Sequence, residues 1–342
     1  MLFQVIQRTA FWAVGTTAAI KAVKAIAALT REKHISNPNR PVQECAGLNT
    51  RSFVNKDGLI INFRVAQPSG DTEVIGLVIL VHGYAEHAGR YHHVIAALNR
   101  AGFVVYAPDH QGHGASEGDR AHMVRFADLA DDILQMTSIA QKRHPELRNR
   151  TFLLGHSMGG AVSILATQKG AESDGPSPFA GTVLSAPAIA IDPAVATPVK
   201  VAMANALSAL LPKLKLDGLD PTKVSKDAAV VDAYCNDPLV YRGGMRVRLA
   251  AETIATIKAI EEFTPSVQWP YLLMHGTADK LCAIDGARKF FANSSSPDKT
   301  FKEFDGYFHE IFNEPDERDS LGVNPATRKA VAWLEERARA RM

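Results

Sequence analysis

Apolar positions along this chain alternate between two textures. Short continuous bursts of Val, Ile and Leu are followed by longer stretches in which apolar residues recur every three to four positions. The bursts are Val74–His82 (VIGLVILVH), Phe103–Pro108, Thr151–Leu154, Phe179–Leu184, Pro270–His275 and Thr300–Phe304. A burst without polar alternation predicts a strand buried on both faces, as in a parallel sheet. Between and after them the helical spacing predicts Tyr91–Ala101 closed by Gly102, Ala127–His144 with Pro145 beyond it, and Met158–Lys169 ended by Gly170. Ile284–Asn293 and Pro325–Ala340 read the same way. Ahead of the first burst, Arg51–Asn55 and Leu59–Val65 flank Lys56-Asp57-Gly58, a hairpin signal. Strands alternating with helices imply βαβ units, hence an α/β fold with a mostly parallel sheet and helices on both faces.

Two stretches break the alternation. Residues 187–264 are helical in character but interrupted by Pro193, Pro198, Pro212, Gly218 and Pro221, which fits a helical cap inserted into one α/β domain spanning 50–342. Its apolar residues Val199, Val201, Leu207, Leu210, Leu211 and Leu214 are expected to form an acyl channel and a membrane-docking face, or else ordinary core. The other stretch is the N-terminal extension, residues 1–40. Residues 1–31 hold no Asp or Glu but carry Arg8, Lys21, Lys24 and Arg31. Their longest uncharged Ala-rich run, Thr9–Ile20, is twelve residues, too short for a spanning helix. A targeting or membrane-associating segment is expected, which makes the protein membrane-associated, on the cytosolic face or targeted to an organelle. A packed N-terminal helix is the plainer alternative.

Composition narrows the function classes. With 46% hydrophobic and 22% charged residues the chain is globular, and 38 Lys+Arg against 36 Asp+Glu give no basic footprint for nucleic acid. Three distant cysteines, Cys45, Cys235 and Cys282, without a CxxC argue against a disulfide framework or a cysteine-rich zinc site. His87, His92 and His93 invite a metal, but no HExxH is present: His309-Glu310-Ile311-Phe312-Asn313 fails at its last position. Gly112–Gly118 is not a dinucleotide-binding fingerprint, so neither metal nor cofactor is expected.

The chemistry lies at Gly155-His156-Ser157-Met158-Gly159, a G-x-S-x-G placed between a predicted strand and a predicted helix. That context is the nucleophile elbow: the turn is too sharp for side chains at the flanking positions, and the serine projects above the sheet. A serine needs a base, and the base an orienting carboxylate, in the chain order Ser, Asp or Glu, His. Asp279 follows the Pro270–His275 strand and His309 follows the Thr300–Phe304 strand, both at carboxyl ends, where open α/β sheets build their sites. His275 precedes Asp279 and so stands in the wrong order, and His156, beside the serine, is expected to point elsewhere. Asp305 sits before the glycine of its turn, and Asp109 reads as a structural support. Oxyanion donors are expected from the backbone N–H of Met158 and, in the loop after the first burst, of Tyr84.

Several segments together, VHGYAEHAGRY (81–91), APDHQGHGASEGDR (107–120), LLGHSMGGA (153–161), DPLVYRGG (237–244), HGTADKLC (275–282) and the turn at Gly306–His309, resemble the monoacylglycerol lipase family, over about residues 50–338. The resemblance implies an α/β-hydrolase fold and ester hydrolysis by Ser157, Asp279 and His309. It implies an acyl chain under a helical cap and glycerol in a polar pocket. Glu86 and Arg90 match positions that organise that pocket, Tyr234 a cap tyrosine at the glycerol end, and Cys282 a cysteine on the alcohol-exit side. Two positions depart from the family: Tyr84 is large where a small residue is common, and Phe312 replaces a second histidine. The implied partners are a single-chain lipid ester and a membrane surface. Lysophospholipase or general carboxylesterase activity is the neighbouring alternative, and an inactive α/β-hydrolase binding module the alternative of another class.

Overall fold

A computed structural model describes residues 49–173, 177–190, 198–320 and 322–342. The extension at residues 1–40 and its targeting reading therefore lie outside the described residues. Among these, no helix is long and apolar enough to cross a membrane.

Among the described residues eight strands form one sheet in the order β1-β2-β4-β3-β5-β6-β7-β8. They are β1 (Asn49–Val54), β2 (Ile60–Ala66), β3 (Gly76–Val81), β4 (Phe103–Pro108), β5 (Thr151–His156), β6 (Gly181–Ser185), β7 (Tyr271–Gly276) and β8 (Lys299–Phe304). β1 pairs antiparallel with β2, and β2 with β4; every other pairing is parallel. The central strands β3, β4, β5 and β7 are buried at every position, as their unbroken apolar runs require. The edge strand β8 reads KTFKEF and is half-exposed, its lysines blunting an open edge. The β1–β2 hairpin forms where the Asp-Gly pair predicts, but Asn55 organises its turn: its Oδ1 accepts from the N–H of Asp57 (3.0 Å) and Leu59 (2.9 Å).

Among the described residues the helices are α1 (His92–Arg100), α2 (Phe126–Arg143), α3 (Met158–Ala171), α4 (Pro198–Leu210), α5 (Ala228–Asn236), α6 (Val247–Phe263), α7 (Ile284–Asn293) and α8 (Pro325–Arg339). Strand side chains alternate between the two layers. Leu77, Ile79, Leu153 and Leu273 pack with Leu129 and Ile133 of α2 and Val162 of α3. Val78, Leu80, Leu154 and Leu272 pack with Val94 and Leu98 of α1 and Trp333 and Leu334 of α8. Gly170 does not end α3: the helix runs on to Ala171, and the glycine is where the Pro178 ring packs, since a Cβ there would meet Pro178 Cδ at 2.8 Å.

From β3 the chain steps to β4 on one side, while β5 to β8 build outward on the other. The crevice between the carboxyl ends of β3 and β5 is thus the topological switch point. The loop after β3 and the turn after β5 meet there, and α4, α5 and α6 come from the stretch in which the strand–helix alternation lapses.

Candidate active site

Ser157 occupies the turn between β5 and α3 with φ 54° and ψ −120°, a left-handed conformation that L-residues rarely adopt. Such strain persists only where the surroundings over-determine it. Here the Ser157 N–H is tied to Ser185 O (2.9 Å). A Cβ at Gly155 would lie 2.3 Å from Ser163 Oγ, and one at Gly159 2.2 Å from Val81 O. The two glycines of the motif are the places where helix, strand and turn come too close for a side chain.

A chain of hydrogen bonds runs from this serine. The Ser157 hydroxyl donates to His309 Nε2 (2.8 Å), and His309 Nδ1–H donates to Asp279 Oδ2 (2.7 Å). Asp279 Oδ1 accepts from the N–H of Leu281 (2.8 Å) and Cys282 (3.0 Å). His275 Nε2 lies 3.1 Å from the same Asp279 Oδ2 and 3.0 Å from Cys282 O. Burial pushes the Asp279 carboxyl up, but His309 and His275 outweigh it and hold the group well below the usual carboxylate range. Burial pulls His309 down, but Asp279 outweighs it and leaves the imidazole more basic than usual. A serine hydroxyl facing a basic imidazole that is oriented by an ionised carboxylate is chemically equipped for acyl transfer.

Two hollows open beside Ser157. The larger, of about 420 Å³, is walled by apolar residues including Tyr84, Phe126, Leu219, Met245, Leu249 and Ile257. The smaller, of about 20 Å³, is roughly the size of one water and is lined by Glu86, His156, Tyr234 and Glu310 among others. Behind it Arg90 binds Glu310 in a fork (2.5 and 2.9 Å) and reaches Glu86 Oε2 (2.8 Å), with its guanidinium 4.8 Å from the centre of the Tyr234 ring. Tyr91 OH and Gly83 N–H both donate to Glu86 Oε1 (2.6 Å each). Burial pushes both carboxyls up. Arg90 outweighs it at Glu310, which is held at about 2, but not at Glu86, which stays above its ordinary value.

A family model described as serine aminopeptidase, S33 (Hydrolase_4), matches residues 72–316. The chain belongs to this family, alongside monoglyceride lipases. It is 36% identical to monoglyceride lipase of Rattus norvegicus over 82% of its own length and 89% of the relative's. Against monoacylglycerol lipase of Mycolicibacterium smegmatis the identity is 38% over 78% of this chain and 92% of that one. The fold matches the crystal structure of a Paleococcus ferrophilus monoacylglycerol lipase at 32% identity with a TM-score of 0.66, covering 85% of this chain and 99% of that one.

The residues singled out from sequence distribute unevenly over this site. Ser157, His309, Tyr84 and Met158 line the larger hollow, and Glu86 and Tyr234 the smaller. Arg90 lines neither and acts through the two glutamates. Cys282 lines the larger, apolar hollow and not the polar pocket, and burial pushes its thiol well up. Phe312 is buried in the apolar cluster that holds Trp333 and Leu334 of α8, and it lines neither hollow. His156 does not turn away as expected. Its Nδ1 meets Ser185 Oγ (3.1 Å), but its ring sits 4.7 Å from that of His309 and walls the polar pocket. The side chain of Val199 lies outside the described residues. Val201, Leu207, Leu210, Leu211 and Leu214 do not line the larger hollow, whose cap side is made by Leu219, Met245, Leu249 and Ile257, and Leu210 is exposed. Asp109 supports the fold as expected, binding Arg64 Nη1 (2.9 Å) and the N–H of Ala88 and Ala115 (2.9 Å each). Sequence reasoning misses Glu310 and Tyr91 as pocket builders. Their signal is adjacency to His309 and Arg90, which spacing alone does not translate into a shared cluster.

Proposed function

We propose that the protein hydrolyses monoacylglycerols to free fatty acid and glycerol through an acyl-enzyme. The observation that carries the reading is one serine–histidine–aspartate chain opening onto both an apolar hollow and a one-hydroxyl polar pocket. His309 takes the Ser157 proton as Oγ attacks the ester carbonyl, while Asp279 holds the imidazole and stabilises its protonated form. The Tyr84 and Met158 N–H groups bind the tetrahedral oxyanion; as the first residue of α3, Met158 has no intrahelical acceptor for its N–H. His309 then protonates the leaving alcohol, and water resolves the acyl-enzyme.

The acyl chain occupies the hollow between Leu249 and Met245, and a free hydroxyl of the glycerol enters the pocket at Glu86 and Tyr234. The pocket lining includes no lysine or arginine, and two carboxylates face the one guanidinium behind it. A phosphate head group finds no counter-charge there, which favours a neutral glycerol ester over a lysophospholipid. On the cap, Met203 and Leu210 are each 59% exposed, and we assign this face of α4 to a lipid surface, where cosedimentation with phosphatidylcholine vesicles tests it.

Fatty-acid release from monoacylglycerols, lysophospholipids and triacylglycerols, with Ser157→Ala alongside, tests the function. Release confined to monoacylglycerols and lost in the variant is expected. Release from lysophospholipids at equal rate would overturn the head-group assignment, and activity surviving in Ser157→Ala would overturn the mechanism.

A further inference from the structure

His82 follows β3 directly and is fully buried. Its Nε2 lies 2.9 Å from the backbone nitrogen of His110, and a backbone N–H can only donate, so Nε2 is the bare, accepting nitrogen. The single proton of the neutral ring therefore sits on Nδ1, 2.8 Å from Gly83 O. Burial and the nearby His110 and His113 rings pull His82 far below the ordinary imidazole range, which keeps it in this neutral form. The Gly83 carbonyl belongs to the same peptide group as the Tyr84 N–H. That peptide is trans, so its carbonyl and N–H point in opposite directions. Gly83 is also held on its other side by Glu86, through its own N–H, and its backbone runs close to Ser157: a Cβ there would stand 3.2 Å from Ser157 Cβ.

We propose that His82 is a positioning residue for ester hydrolysis, its Nδ1–H clamping the Gly83 carbonyl so that the Tyr84 N–H is aimed at the oxyanion. The inference rests on the oxyanion role given to Tyr84 above. A carbonyl that accepts a hydrogen bond also polarises the N–H of its own peptide, which strengthens the donor.

Two substitutions separate the ring's two nitrogens. In His82→Asn the amide nitrogen replaces Nδ1 and keeps the donor to Gly83. In His82→Gln the amide reaches only the Nε2 position and keeps the contact with His110. Loss of a whole oxyanion donor costs about 10²–10³ in kcat, and loss of its positioning less. His82→Gln is expected to lower kcat about 10- to 100-fold at little change in KM, and to weaken binding of an alkyl trifluoromethyl ketone by the same factor. His82→Asn is expected to stay within about threefold of wild type on both. Equal kcat in His82→Gln and wild type overturns the inference, as does an Asn variant that falls as far as Gln. Should His82→Gln not fold, ¹⁵N spectra of histidine-labelled wild-type protein decide it: a His82 proton on Nε2 overturns the proposal, one on Nδ1 supports it. Full loss of activity in Ser157→Ala beside an unaffected His82→Gln sinks this inference alone. Activity surviving in Ser157→Ala sinks the hydrolase mechanism beneath it.

Discussion

At the scale of single residues, the site works by setting protonation states against each other. Asp279 is held ionised by two imidazoles and two backbone N–H groups, and it in turn raises His309. His309 accepts the serine proton only when neutral. Its protonation therefore removes activity, and because its pKa is raised, the acid limb of kcat/KM should fall above the ordinary imidazole value of 6.5. A pH–rate profile with the limb below that value would contradict the coupling. Asp279→Asn should lower kcat by about 10⁴-fold, since an amide stabilises neither the required tautomer nor the imidazolium, and single-turnover kinetics will show the loss in the chemical step. The triad is legible in the amino-acid sequence because a strained turn demands glycine on both sides and the chain order of the partners is restricted. The direction of His156 is not, because adjacency along the chain says little about where a side chain points at a turn whose φ is positive.

At the scale of elements, loops are pinned to strands by buried polar groups. The Arg64–Asp109 pair joins β2 to the loop after β4, with side chains 3% and 0% exposed. Asp109 also accepts from two loop amides, at Ala88 and Ala115, so one carboxylate fixes the loops after β3 and β4 together. Only Nη1 of Arg64 bonds Asp109, and among the described residues Nε and Nη2 have no hydrogen-bond partner. Asp109→Ala strands that guanidinium and should cost about 3–5 kcal/mol, read as a shift in the urea midpoint at unchanged slope. A loss under about 1 kcal/mol would mean that water reaches Arg64 in the variant. Strand positions are readable from the unbroken apolar runs. Element ends are less so: Gly170 carries a stop signal that packing against Pro178 overrides.

At the scale of the molecule, the hollow beside Ser157 is built from parts far apart in sequence. The apolar hollow joins Tyr84 after β3, Phe126 of α2, Met158 of α3 and Leu249 of α6. Leu249 is buried and stands in its wall. Leu249→Trp should displace about two methylenes of a long acyl chain, forfeiting about 1.6 kcal/mol. Long-chain monoacylglycerols should then lose more than about tenfold in kcat/KM relative to short-chain ones. A chain-length profile identical to wild type would place the acyl chain elsewhere.

By itself the sequence determined the order of strands and helices, the elbow and its partners, and the class of reaction they support. These follow from local rules: buried strands need apolar runs, sharp turns need glycine, and a nucleophile needs a base at a strand end. Tertiary structure alone decided which surfaces enclose the two hollows. The cap residues that wall the hollow, the Arg90–Glu86–Glu310 cluster, the position of Cys282 and the His82 clamp depend on separate chain segments converging at the β3–β5 crevice. Helical spacing shows that a face is apolar, but which of several apolar faces turns inward is settled only when the layers pack.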